Sequence, residues 1–404
     1  MTMTAPPSTA PATTAPATTA PPGLKGLIVA DTAVGSVRGD EGYYHYRQYN
    51  AVDLARSQSL EAVWYLLHRE TVAGDHRLST TAGESAIGVE IGEARRIGSE
   101  LLSLIGDLAA RIEAPHLLLQ AALPLVLPDA RATLDQTPTE RAADVHRVMA
   151  VVPVILGTGL AVRQGRRPLE ADPGLSHAAD WYRLATGRLA SATQARAVEA
   201  YLIATVDHGF NASTFATRVV TSTGADVVSA LSSGVAALSG PLHGGAPARA
   251  LAMIDAIGRP SSARQWVADQ LECGDKIMGF GHAVYRADDP RSTLMRSVAE
   301  DLATTPAEID LVQRAVAIEA EVLAALRAAK PGAVIVTNVE YYAGVVLHLA
   351  GLPAAAFTPS FTVSRVLGWG AHLLEQAADN KIMRPSSRYV GPEPVVLDPG
   401  CINP

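Results

Sequence analysis

Lys276-Ile-Met-Gly-Phe-Gly-His282-Ala-Val-Tyr-Arg286-Ala-Asp-Asp-Pro290-Arg291 is the stretch on which the rest of the chain turns. Gly279 and Gly281 flank Phe280, and glycines let a backbone take conformations other residues avoid and approach a ligand closely. Asp289-Pro290 reads as an N-cap followed by proline at the first helical position, which puts Arg291 in the first turn of a new helix. A guanidinium fixed there, one loop from an imidazole, suits a small carboxylate ligand held by the arginine and worked on by the histidine. The plain alternative is a surface loop with ordinary charges.

Outward from this stretch the chain reads as one helix after another. Val227, Val228, Leu231, Val235 and Leu238 share one face, and Gly240-Pro241 stops that helix. Leu251, Ile254 and Ile257 mark the next, closed by Gly258. Thr305-Pro306 opens a long helix that Pro331-Gly332 ends, Asn338 caps another, and Thr358-Pro359 opens a last long one. Near the start, residues 26 to 46 carry β-branched and aromatic clusters between Gly and Asp turns, the pattern of a small antiparallel β element. Residues 1–23 contain only Ala, Pro, Thr, Ser, Met and Gly and are expected to stay disordered, having nothing to bury. The fold class expected is mainly α with one small N-terminal β element.

Composition excludes several functions. A net charge of −7 leaves no basic footprint and argues against nucleic acid as the main partner. With no run of about 18 apolar residues, no membrane span is expected. Two cysteines, Cys273 and Cys401, are too few for a disulfide framework or a cysteine-based zinc site and fit a reducing cytoplasm.

Two more histidines sit beside glycines at helix junctions: His243 in Gly240-Pro-Leu-His-Gly-Gly and His208 in Asp207-His-Gly-Phe-Asn-Ala-Ser-Thr. Each alone suits a capped helix end; the recurrence suggests one site. Zinc prefers ligands at short local spacing, and His208, His243 and His282 lie on separate elements, so no metal is expected. Neither a dinucleotide-binding Gly-x-Gly-x-x-Gly nor a Gly-x-Ser-x-Gly elbow is present. Glu340, in a first helical turn, is favoured there as an anion by roughly 0.3–1 kcal/mol and is the carboxylate to pair with these imidazoles. Its ordinary reading is a helix-stabilising Glu. Arg365 sits among apolar residues, where an unpaired guanidinium is expensive, so an anionic partner is expected. Arg384, in Met383-Arg-Pro-Ser, completes the set.

These segments, together with Ser364-Arg-Val-Leu-Gly and Arg384-Pro, resemble the citrate synthase family from about Leu24 to Arg388. The pairing of Gly-Pro-Leu-His-Gly-Gly with Gly-Phe-Gly-His is highly specific. The resemblance implies a two-domain, all-helical, dimeric fold, with 24–243 and 346–404 as the large domain and 244–345 as the small one. It also implies condensation of acetyl-CoA with oxaloacetate, then thioester hydrolysis to citrate and CoA, with the CoA thioester as co-substrate and no other cofactor. By family position Glu340 is the base, His243 donates to the thioester oxygen, and His282 polarises the oxaloacetate ketone. His208, Arg291 and Arg365 hold the carboxylates, Phe361 packs near the substrate, and Arg384 reaches the partner subunit's site. Arg286 is implied for the CoA phosphates, and the Lys276, Gly279, Phe280, Gly281 loop for the adenine.

Two positions depart from the family. Glu340 stands where Asp is usual, one methylene longer, and Pro247 stands where Asn is common. The alternatives are a 2-methylcitrate synthase using propionyl-CoA, which shares every catalytic residue, and a catalytically weak homologue that binds CoA or oxaloacetate.

Overall fold

The helix starts foreseen from cap residues form with their cap bonds in a computed structural model, which describes residues 19–68, 81–241, 243, 247–281 and 284–393. Asp289 accepts from the backbone of Arg291 at the head of Pro290–Leu302. Thr305 and Glu308 exchange bonds in a capping box ahead of Pro306–Ala329, and Asn338 accepts from Glu340 N at the head of Val339–Leu349. The last long helix differs: it begins at Phe357 after a 3-10 turn at Ala354–Ala356, not at Thr358-Pro359. Pro359 is its third residue, where a backbone N–H has no intrahelical acceptor, so proline is tolerated.

Helices dominate, and the core is built around Pro138–Arg163. That helix is long and apolar enough to cross a membrane by length and composition, but 83% of the qualifying window is buried inside the protein. It packs against Pro115–Val126, His177–Thr186 and Phe357–Ala378. Trp64, Trp181 and Trp369 are fully buried, and the cluster of buried apolar side chains they join extends through Phe357–Ala378.

The β element is a three-stranded antiparallel sheet, Gly35–Arg38, Tyr43–Tyr46 and Tyr49–Asn50, with Gly35 opposite Tyr46 and Tyr46 opposite Tyr49. It starts later than the sequence pattern suggested. Its middle strand alternates, with Tyr44 and Tyr46 buried. Their hydroxyls donate to Ala204 O at 3.0 Å and Ile203 O at 2.8 Å, carbonyls at the end of helix Ala192–Thr205. The sheet thereby caps a helix end that would otherwise leave acceptors unmet.

Among the described residues, those from 32 to 381 form one compact unit, and 19–31 with 382–393 form another. Residues 1–18 of the expected tail lie outside the described residues.

Candidate active site

The glycine-flanked loop is stitched to the segment that leads into the Glu340 helix. Gly281 N donates to Val336 O at 2.8 Å, Asn338 N to Gly279 O at 2.9 Å, and Asn338 Nδ2 to Gly281 O at 3.0 Å. Phe280 and Thr337 form an antiparallel bridge. Both glycines have positive φ, +81° and +84°, and a Cβ on Gly279 would press on Tyr341 at 3.0 Å. Any other residue would force the loop off Val336–Asn338, and with it the first turn that carries Glu340.

A second tie comes from Asp289. Its carboxylate accepts from Arg291 Nε at 2.9 Å and from an Arg291 terminal nitrogen at 2.8 Å, a two-point pair in the core. Its Oδ2 also accepts from Val339 N at 3.1 Å, so one buried carboxylate joins the N-termini of the Arg291 and Glu340 helices.

Two cavities meet at these ties. One, about 670 Å³, is lined by His208, His243, Gly281, Arg291, Glu340, Phe361 and Arg365 among others. The other, about 1230 Å³, is lined by Lys276, Gly279, Phe280, Gly281, His243 and Glu340, with Arg249 and Lys330 adding cations. His243 and Glu340 belong to both walls. A carboxylate and an imidazole thus stand on the wall that the two cavities share.

Their charge states suit that place. Burial pushes the Glu340 carboxyl up to about 7; Arg291 opposes the rise, Asp289 adds to it and Arg249 opposes it. No described residue hydrogen-bonds this carboxylate. Burial, helped by the charge of Arg365, pushes the His243 imidazole down to about 4, so it is neutral near pH 7. His243 Nε2 lies 2.8 Å from Ser213 Oγ, which is also 2.8 Å from Asn211 Oδ1 and 3.1 Å from Trp369 Nε1. Trp369 can only donate and Asn211 Oδ1 only accept, so the single Ser213 proton is linked to the tautomer: given to Asn211 it makes His243 Nε2–H the donor to Ser213, and given to His243 Nε2 it leaves the imidazole proton on Nδ1.

Arg365 is 2% exposed and donates Nε to Thr205 O at 2.9 Å, with its guanidinium 4.7 Å over the Phe361 ring. Its two terminal amino groups have no hydrogen-bond partner among the described residues, and the smaller cavity is where they can meet one. Burial lowers its pKa, which the charge of Asp207 counters. Arg291 differs in being already paired: burial would depress its pKa, but Asp289 outweighs burial and raises it. His208 Nε2 sits 3.0 Å from Tyr285 Oη, and its ring packs on Tyr44.

Ten of the thirteen residues singled out from the sequence line one or both cavities. His282 lies outside the described residues, although Gly281 and Val284 on either side line the smaller cavity. Arg286 is exposed and lines neither cavity; its backbone N–H bonds to Gly39 O. Arg384 is exposed in the terminal unit. Ser213, Arg249 and Lys330 had no assigned role, and Asp289 was read only as an N-cap. Ser213 and Asp289 lie inside quoted motifs, but only the fold brings His243 to one and Val339 to the other.

The sequence profile described as "Citrate synthase, C-terminal domain" matches residues 23–386. A 198-residue stretch is 50% identical to a Mycobacterium bovis protein with a citrate synthase name, covering 49% of this chain and about half, 52%, of that relative. Over 378 residues the chain is 35% identical to a 2-methylcitrate synthase of Mycobacterium tuberculosis, covering 93% of this chain and 91% of that one. A Haloferax volcanii citrate synthase is 32% identical over 93% of this chain and 97% of its own. The fold matches a Thermoplasma acidophilum citrate synthase, solved as a ternary complex with carboxymethyl coenzyme A and oxaloacetate, at TM-score 0.82 and 26% identity, covering 94% of this chain and 98% of that one. With the profile spanning nearly the whole described core, the chain belongs to the citrate synthase family.

Proposed function

We propose that the protein condenses acetyl-CoA with oxaloacetate and hydrolyses the product thioester to citrate and CoA. The observation that carries this reading is the shared wall: Glu340 and His243 border both cavities. The Thermoplasma acidophilum relative was solved with carboxymethyl coenzyme A and oxaloacetate, a thioester-like ligand and a dicarboxylate, and the two cavities here suit that pair. CoA takes the larger cavity, where Lys276, Arg249 and Lys330 offer charge to its phosphates. Oxaloacetate takes the smaller, where Arg365, Arg291 and His208 meet its carboxylates.

Glu340 removes a methyl proton from the thioester, and the enolate oxygen accepts a hydrogen bond from His243 Nδ1–H, which requires the Ser213 hydroxyl to turn from Asn211 and donate to Nε2. The enolate carbon attacks the oxaloacetate ketone, whose oxygen takes a proton from His282, giving a citryl thioester that water hydrolyses. The reaction draws on no metal. We further propose a cytoplasmic homodimer with residues 244–345 as the mobile small domain and Arg384 reaching the partner's site.

A base near 7 sets the pH response. Above about pH 7 Glu340 is ionised and active; below it, kcat/KM falls roughly tenfold per pH unit, and the fall disappears from the profile once chemistry no longer needs this group. A rate profile from pH 5 to 9 checks the sign: a rate flat through pH 6 to 8 removes Glu340 as the base.

The 35% match to a 2-methylcitrate synthase favours a second reading, propionyl-CoA as the preferred thioester. One methylene in a pocket is worth roughly 1–3 kcal/mol, or about 10- to 200-fold in kcat/KM. We expect acetyl-CoA to win that ratio; a ratio favouring propionyl-CoA tenfold or more transfers the assignment.

A further inference from the structure

Behind the His208 turn runs a chain of mostly buried polar groups, none of which lines either cavity. His372, fully buried, places Nε2 3.3 Å from Asp207 Oδ1, and Asp207 Oδ2 accepts from Gly209 N at 3.2 Å, so the carboxylate clasps the turn on both sides of His208. Arg218 contacts the other imidazole nitrogen, Nδ1, at 3.4 Å. A guanidinium only donates, so Nδ1 is the acceptor and the proton is on Nε2, directed at Asp207. Arg218 is held in turn by Gln376 Oε1 at 2.9 Å and Glu375 Oε2 at 2.5 Å, and Glu375 Oε1 accepts from Ala33 N at 2.6 Å, beside Thr32 in the cavity wall. Phe210 packs edge-on against His372 and under Arg218.

His372, Glu375 and Gln376 lie on Phe357–Ala378, the helix that carries Arg365 and Phe361. Gly368 of that helix lies against the turn so closely that a Cβ there would collide with Val206 O. The spacing between Arg365 and His208 is therefore set by rigid contacts on one helix. We propose that His372 is a positioning residue for oxaloacetate binding: through Asp207 it fixes His208 at the distance from Arg365 that a four-carbon dicarboxylate needs. The proposal rests on the oxaloacetate reading of the smaller cavity.

The test compares wild type, His372→Leu and His372→Gln in the full chain, measuring oxaloacetate binding by calorimetry alongside KM and kcat for both substrates. His372→Leu removes the donor to Asp207; Gln keeps an N–H at a similar reach. A misplacement of about 1 Å weakens oxaloacetate binding and raises its KM roughly tenfold or more in the Leu variant, with the KM for acetyl-CoA unchanged and largely restored by Gln. A merely structural role lowers Tm and the active fraction but moves neither KM. Should His372→Leu not fold, Asp207→Asn, nearly isosteric, must raise the oxaloacetate KM in the same selective way. Wild type that binds no oxaloacetate overturns the function reading and this inference with it; wild-type binding with unchanged KM in the variants overturns the inference alone.

Discussion

Replacing Glu340 with alanine is expected to lower kcat by about a thousandfold with the KM for oxaloacetate little changed, because in the proposed reaction the carboxylate acts on the thioester and a positioned base contributes about 10²–10⁴ in rate. Glu340 lines both cavities, the place that the proposed coupling of the two ligands requires. Glu340→Asp is the sharper variant. The frame around it, Asn338 bonded to Gly279 and Gly281 and Asp289 bonded to Val339 N, fixes the backbone of its turn, so shortening the side chain withdraws the carboxylate by about 1 Å and costs on the order of a hundredfold. A large gain in turnover by Glu340→Asp, from a wild type that only binds, is the opposite outcome and belongs to the weak-homologue alternative.

Glu340→Gln adds a stability signature with a fixed sign. The folded-state pKa is raised from 4.5 to about 7, so folding favours the protonated form and stability declines as pH rises from about 4.5 to 7. A neutral amide escapes that decline. The variant should gain on the order of 3 kcal/mol over wild type at pH 8 and nothing at pH 4, read from thermal melts at the two values.

The second large effect falls on Arg365. Its Nε is committed to Thr205 O, and its terminal amino groups have no described partner, so a ligand carboxylate takes both donors. Two charge-assisted bonds at about 1.5–3 kcal/mol each imply that Arg365→Leu raises the oxaloacetate KM by about a hundredfold or more. Lysine will not rescue it, since one ammonium cannot reach Thr205 O and present a planar fork to the ligand. Stability should hold in the leucine variant, because the buried charge is itself costly without its anion. A variant with unchanged oxaloacetate KM assigns Arg365 to the core and not to the substrate.

Local chemistry made much of this legible. Asp289, Thr305 and Asn338 announced their helices because a cap residue acts within a few positions of itself. The sequence motifs named His208, His243, Glu340 and Arg365, and the cavities collect all four. What could not be read was who faces whom. Arg365 was expected to have an anionic partner, yet its direct protein partner is a backbone carbonyl, and its anion has to come from the ligand. Arg291 looked like the free clamp, while Asp289, read only as a cap, neutralises it and also fastens Val339. The Ser213 contact to His243 and the His372 contact to Asp207 span 30 and 165 residues, and no local pattern encodes such pairings.

The most direct measurement mixes purified protein with acetyl-CoA and oxaloacetate and follows free thiol. The account predicts thiol release that requires both substrates and is lost with Glu340→Ala. No release at high enzyme concentration, or release that persists undiminished without Glu340, contradicts it.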